Sequence, residues 1–283
     1  MKVFYKKESL FKFINSLDAS KLSIGFVPTM GSLHHGHISL INKAISENNH
    51  VIVSLYVNPT QFDNKLDLEK YPRKFEADIC FLRSLACSKL SLFIPSDYEI
   101  YGSQINKELF DFSGLDKQME GKCRPGHFNG VATVVMKLFE YVKPNKAYFG
   151  EKDYQQLLII RRLVDNFKLP IFIIGCPIVR DSNGLALSSR NLRLTKNNRA
   201  YASKIYRILN YVKENFETLN FFEIKSWVNN QFEKDSIIDL EYFEISEDLT
   251  LKTAQKKVKK IKYRAFIAAK ISNVRLIDNI ALN

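Results

Sequence analysis

A chain of 283 residues that is 46% apolar and 25% charged, with 11 glycines and 8 prolines, has room for one large core or two moderate ones. This composition excludes a disordered, collagenous or coiled-coil chain. Lys and Arg outnumber Asp and Glu by 42 to 30, a net charge of +12 that invites an anionic partner such as nucleic acid or a membrane surface.

The excess is local. Lys252, Lys256, Lys257, Lys259, Lys260, Lys262, Arg264 and Lys270 lie in one acid-free segment, 251–270, and carry eight of the twelve net charges. A solvated strand-turn-strand edge explains such a run, because lysines discourage edge pairing, so neither a nucleic acid nor a membrane is an expected partner. Cys80, Cys87, Cys123 and Cys176 form no Cys-x-x-Cys pair and are too few to staple a chain of this length. Buried thiols in a reducing compartment are expected. No apolar run approaches the ~20 residues of a membrane span, and the charged N-terminal stretch has no apolar signal core. The expectation is a cytoplasmic protein.

In chain order, Leu22 to Val27 reads as a strand, His37 to Asn48 as a helix and Val51 to Val57 as the next strand. Pro72 to Ala86 reads as a helix with Pro in its first turn, and Leu90 to Ile94 as a short strand stopped by Pro95. A helix follows from Phe128 to Tyr141, then a strand from Lys146 to Phe149, a helix capped by Asp153 and running to about Phe167, and a strand from Ile171 to Gly175. Apolar runs alternating with helical period predict an α/β fold: a Rossmann-like, doubly wound parallel sheet over residues 1–176, with its ligand site at the carboxyl ends of the strands. After Pro177 the pattern changes to helices over Lys196 to Glu217 and Phe221 to Phe232, then alternating runs at Asp239 to Ile245 and Arg264 to Ile271. Residues 177–283 are therefore expected to form a smaller α+β domain packed closely on the first.

Pro28-Thr29-Met30-Gly31-Ser32-Leu33-His34-His35-Gly36-His37 leaves a predicted strand and enters a predicted helix. Gly31 and Gly36 permit close approach of backbone to a ligand, and the helix start, with its free N–H groups, suits phosphate. His34 and His37 share one face of the first turn and could stabilise charge growing on a phosphate. Taken alone, the pair reads better as a metal site or as two surface histidines at a turn. Gly150-Glu151-Lys152-Asp153 again joins a strand to a helix, with Lys152 as a point charge, although alone it is a solvated helix start. Ser188-Ser189-Arg190 offers two hydroxyls and a guanidinium to phosphate oxygens.

The first segment resembles the His-x-Gly-His motif of the nucleotidyltransferase superfamily. With Val57-Asn58-Pro59-Thr60-Gln61-Phe62, Tyr71-Pro72-Arg73, Arg124-Pro125-Gly126-His127-Phe128, Phe149-Gly150-Glu151-Lys152-Asp153-Tyr154-Gln155-Gln156 and Ser188-Ser189-Arg190-Asn191, it looks like the pantoate–β-alanine ligase (pantothenate synthetase) family, a step toward coenzyme A. The resemblance implies that pantoate and β-alanine are joined through a pantoyl adenylate, with ATP and Mg²⁺, by a homodimer formed through the N-terminal domains; it implies no metal site built from protein ligands. By that resemblance His34, His37, Lys152 and Arg190 act in catalysis. ATP is bound by Met30, Gly31, His34, Gly36, His37, Gly150, Glu151, Lys152, Asp153, Val179, Leu187, Ser188, Ser189 and Arg190. Gln61 and Gln156 contact pantoate, Asn58 and Gln61 lie where β-alanine enters, and Pro28, Thr29 and Met30 line the substrate side.

Two positions depart from the family pattern. Leu187 stands where Met is usual, a volume-conserving change that should keep an adenine contact. His35 stands where Glu or another polar residue is common, and should point away from His34 and His37. His50 is expected at the surface, and His127 in a loop-positioning role.

Overall fold

A computed structural model describes residues 1–17 and 22–283. In chain order its elements are β1 (Lys2–Phe4), α1 (Lys7–Ser16), β2 (Ile24–Thr29), α2 (His35–Glu47), β3 (His50–Leu55), α3 (Lys65–Glu69), α4 (Phe75–Ser84), β4 (Leu90–Phe93), α5 (Asp97–Tyr101), α6 (Met119–Cys123), α7 (His127–Val142), β5 (Lys146–Gly150), α8 (Tyr154–Asn166) and β6 (Phe172–Cys176). There follow α9 (Lys196–Ala202), α10 (Lys204–Glu214), α11 (Phe221–Glu233), β7 (Ile238–Glu247), β8 (Tyr263–Ile271) and β9 (Val274–Ala281).

Among the described residues, strands ordered β1-β4-β3-β2-β5-β6 form one parallel sheet. The strands are apolar because helices cover both faces. Phe26, Ile52 and Phe93 pack toward α1, α7 and α8, while Val27, Val53 and Leu92 pack toward α2 and α4. The strand order reverses between β2 and β5, which pair only through Gly25–Lys146 and Phe26–Ala147. Past that point β2 pairs with β3 alone. The Thr29 carbonyl accepts from Tyr56 beside β3, so the neighbouring Pro28 turns its missing N–H toward β5, where no ladder bond is required.

Strands β7-β8-β9 form a smaller antiparallel sheet covered by α10 and α11, with its own core of Ile208, Leu209, Val228, Ile267 and Ala269. The two sheets meet closely. Phe266 of β8 and Leu251 join the first sheet's core, Tyr154 donates to Asp248 at 2.7 Å, and Arg275 of β9 pairs with Glu120 of α6 at 2.6 Å and with Glu241 of β7 at 2.9 Å. Burial would raise the Glu120 carboxyl, but the Arg275 bonds outweigh it and hold it at about 2.

Several expectations change. The stretch expected as one helix over Lys196 to Glu217 breaks at Ser203, whose hydroxyl bonds the Ala200 carbonyl at 2.7 Å. The segment begun at Pro72 becomes helical only from Phe75. Asp153 sits at a helix start without capping it. His50 is buried, with its ring 3.0 Å from Ser91 Oγ, because β3 begins at that residue. Cys80 and Cys123 are exposed. The lysine-rich run lies mainly on the loop between β7 and β8; β8 is the central strand, so the lysines protect no edge. Arg264 from that run is buried against Asp248 and the Tyr154 ring.

Helix α7 crosses the 3₁₀ turn Pro59–Gln61 so closely that a Cβ on Gly130 would lie 2.3 Å from the Thr60 carbonyl oxygen. Gly130→Ala gains about 0.5–1 kcal/mol of helix preference and loses about 1–3 kcal/mol to overpacking against backbone. Net destabilisation is therefore expected, seen as a lower denaturant midpoint; a midpoint at or above that of the unsubstituted chain would refute the close approach.

Candidate active site

The turn after β2 is held by its own side chains. Asp78 of α4, buried beneath it, accepts from the Ser32 amide at 2.7 Å and the Leu33 amide at 2.8 Å. The Gly31 amide donates to Thr29 Oγ1, the His34 amide to His37 Nδ1 and the Gly36 amide to His34 Nδ1. The amides leading into the helix, and that of Gly36 in its first turn, are thus engaged inside the turn. What the turn offers outward is different: each Nδ1 accepts a backbone proton, so each ring carries its own proton on Nε2.

The two rings lie 4.0 Å apart between centroids. Burial, then Lys152, hold His34 at about 4, with Asp153 partly offsetting them; burial, then His34 and Lys152, hold His37 at about 3. Both rings are neutral Nε2–H donors at neutral pH. A Cβ on Gly36 would come within 2.8 Å of the His34 ring, so this glycine is required by the ring's position. His35 is exposed and turns to Phe81, as its place on the helix implies.

The turn after β5 faces it across the sheet's switch point. Lys152 is mostly enclosed and lies 3.5 Å from Asp153, which is half-exposed. Asn279 of β9 donates to the Glu151 and Lys152 carbonyls, each at 2.9 Å, so the smaller sheet fixes this turn. A third wall is the hairpin in which the Leu187 amide donates to the Val179 carbonyl, anchored where Arg180 grips the buried Asp278. Ser189 donates from that wall to the Ser32 carbonyl at 3.0 Å. Arg190 is paired with Asp67 of α3 at 2.8 Å, and Arg193 holds the other oxygen of the same carboxylate at 2.8 Å.

These walls enclose a cavity of about 230 Å³. Pro28, Thr29, Met30, His34, Gly36, His37, Asn58, Gln61, Gly150, Lys152, Asp153, Gln156, Val179, Leu187, Ser188, Ser189 and Arg190 all line it. It continues into a cleft of about 800 Å³ between the two sheets that shares Lys152, Asp153, Gln156, Ser188 and Arg190. Gly31 and Glu151 are not on either wall. Gly31, at φ 77°, supplies the left-handed bend and packs on Phe75 and Asp78, and the Glu151 carboxylate lies beside Gly175. Asn58 is buried with both ends of its amide bonded to protein: it donates to Gln61 and the Gly130 carbonyl and accepts from Thr60 and Tyr101. It therefore fixes this part of the wall. Gln155, next to Gln156, is likewise internal, bonded to Glu120, Leu115 and Gln118. His127 bridges Arg124 and the Gln61 carbonyl, the loop-positioning role expected of it.

Asp78, Asp67 and Asn279 are the groups that sequence reading missed. Each acts across 46 to 128 residues of chain, and a lone Asp or Asn on a helix or strand gives no local signal.

The family model for pantoate-beta-alanine ligase matches residues 2–281. The pantothenate synthetase of Christiangramia forsetii is 51% identical over 283 residues, covering 100% of both chains. The crystal structure of pantothenate synthetase from Thermus thermophilus superposes with a TM-score of 0.89 at 36% identity, covering 100% of this chain and 99% of that one. A second, the pantoate-beta-alanine ligase from Francisella tularensis complexed with beta-gamma ATP and beta-alanine, has a TM-score of 0.82 at 41% identity and covers 100% of this chain and 98% of that one. A match spanning nearly every residue, with the same two-sheet architecture, leaves one assignment: the chain belongs to the pantoate-beta-alanine ligase family.

Proposed function

We propose that this chain condenses pantoate with β-alanine, using ATP and releasing AMP and pyrophosphate. The observation that carries this reading is that one cavity at the β2/β5 switch point gathers the paired imidazoles, Lys152, the Ser188–Arg190 segment and two carboxamides, Gln61 and Gln156. In the first step a pantoate carboxylate oxygen attacks the α-phosphorus of ATP and the bond to pyrophosphate breaks. In the second, the β-alanine amine attacks the acyl carbon and AMP leaves with the bonding pair; the amine's proton passes to solvent. Both steps need positioning and charge stabilisation more than covalent help from the protein.

His34 and His37 donate from Nε2 to the phosphate oxygens, and Lys152 adds a positive charge. Arg190 joins them by exchanging Asp67 for phosphate. Ser188 retains a hydroxyl proton to donate, while Ser189 holds its wall in place through Ser32. Val179 and Leu187 provide the apolar surface for adenine. Gly36 and Gly150 keep side-chain atoms out of the phosphate path; nothing lies within 4 Å of a Cβ placed on Gly150. Gln61 and Gln156 hold the pantoate without adding charge, with Pro28, Thr29 and Met30 as its floor.

Among the described residues no group of three or more His, Cys, Asp or Glu side chains could hold a metal ion. A Mg²⁺ arriving on ATP would neutralise phosphate charge, and the half-exposed Asp153 is the carboxylate that would help hold it. The proposal extends to a homodimer formed through the N-terminal regions, a cytoplasmic location and a division into domains at residues 176/177. Support for that division is the end of β6 at Cys176 and the separate core of the smaller sheet. No helix among the described residues is long and apolar enough to cross a membrane.

AMP release should require pantoate and β-alanine together; with β-alanine omitted, pyrophosphate should stop at about one equivalent per site. Continued turnover without β-alanine, or a dinucleotide product, would remove the reading. His37→Ala should slow adenylate formation by ~10²–10³, the usual loss of one positioned stabiliser, and unchanged pyrophosphate release would end that role. The pH dependence of stability follows from the same rings. Their folded values of about 4 and 3 lie below the ordinary 6.5, so the unfolded chain takes up protons first as pH falls below 6.5, and the fold loses stability over that interval. A His34→Gln/His37→Gln chain should lose less between pH 6.5 and 4 in thermal melts. Parallel curves for the two proteins would contradict neutral, enclosed imidazoles.

A further inference from the structure

The polar groups behind Gln61 form a chain whose direction is fixed by chemistry. The Gly130 carbonyl can only accept, and the Asn58 amide atom facing it at 3.1 Å is therefore Nδ2. The same Nδ2 lies 3.0 Å from the Gln61 amide, so the Gln61 atom there is Oε1. Gln61 is left with its Nε2 at the cavity wall, one N–H donating to Met30 Sδ at 3.2 Å and the other free among the described residues. At the other end, Asn58 Oδ1 accepts from the Tyr101 hydroxyl and from the Thr60 hydroxyl, the latter at 3.0 Å. The Thr60 and Tyr101 oxygens are themselves 3.0 Å apart.

Tyr101 ends α5, the helix whose first residue, Asp97, accepts from Tyr56, a neighbour on the same cavity wall. We propose that Tyr101 is a positioning residue for the acid substrate: through Asn58 it holds the Gln61 carboxamide in the one orientation that presents N–H donors, and no oxygen, to the bound carboxylate or hydroxyl. Asn58 is 1% exposed, so water cannot take the place of a lost partner. Without the Tyr101 hydroxyl, Oδ1 keeps only the Thr60 hydroxyl and amide while Nδ2 keeps the Gly130 carbonyl, so Asn58 is held less firmly and Gln61 samples the reversed amide, whose oxygen repels an anionic substrate. The inference rests on the reading that Gln61 contacts pantoate.

The test is a double-mutant cycle on the full chain with Tyr101→Phe and Gln61→Met, reading KM for pantoate, KM for ATP, kcat and the melting midpoint. Tyr101→Phe should raise KM for pantoate on the order of fivefold to tenfold, the effect of one hydrogen bond, with KM for ATP and kcat within about twofold. In the Gln61→Met background, where there is no amide to orient, the same change should leave KM for pantoate unaltered. An equal rise in both backgrounds, a parallel rise in KM for ATP, or no rise at all overturns the proposal. A wild-type KM for pantoate in Gln61→Met alone instead overturns the contact on which it rests, so the two failures are distinguishable. A lowered melting midpoint does not blur this outcome, because a general loss of structure moves both KM values together.

Discussion

Strands β2 and β5 pair through two residues each, and beyond Phe26 and Ala147 their carboxyl ends part. Helices leave that gap in opposite directions because the sheet reverses its order there, so neither α2 nor α8 can fill it. The gap is the constraint to which the rest of the molecule answers. The turn after β2 brings the imidazoles to one side, the turn after β5 brings Lys152 to the other, and the hairpin carrying Val179 and Leu187 closes the third. Because the parallel strands are buried on both faces, the two turns cannot shift relative to each other without moving the core. The smaller sheet then fixes what the first leaves open: Asn279 grips the carbonyls of the second turn, and Arg275 ties β9 to α6 through Glu120.

The electrostatics of this gap differ from those of an ordinary anion site. Its cations are compensated within the protein, Lys152 by the adjacent Asp153 and Arg190 by Asp67, while the histidines are neutral. In the proposed function a polyphosphate displaces Asp67 from Arg190, which weakens its binding; without nucleotide, Asp67 leaves neither guanidinium with a buried, unpaired charge. The single carboxylate shared by two arginines sits on α3, a helix of five residues with none buried. Its tether to the site is thus ionic rather than apolar, the kind of contact that a competing anion can exchange at modest cost.

The sheet was legible because its strands are continuous apolar runs separated by helical period, and the ligand end of the sheet was legible because two glycine-containing turns follow two of those runs. The edges of elements were not. Helix α3 has no apolar stripe, and β1 is a three-residue strand whose pairing with β4 lies 89 residues away in register. The helix start suggests free amides, but Asp78, 46 residues on from Ser32, accepts from the Ser32 and Leu33 amides just before it. The resemblance puts Asn58 where β-alanine enters; its bonds to Tyr101 and to the Gly130 carbonyl come from α5 and α7, which only folding brings together. Motif blocks show where chemistry gathers, but which atoms remain available depends on partners distant in the chain.

In the proposed function, this withdrawal of backbone donors bears on catalysis. An amide held by Asp78 cannot turn toward a developing charge, but it makes the turn rigid, and rigidity is what allows the imidazole Nε2–H groups to be aimed before substrate arrives. A preorganised neutral donor gains strength as charge grows on the oxygen it faces, whereas an imidazolium would bind the ground-state triphosphate strongly as well and contribute less to the difference between ground and transition states. The low pKa values of His34 and His37 keep both donors neutral, as that role asks. They follow from the same burial that shapes the cavity, and from the placement of Lys152 on the opposite lip of the gap.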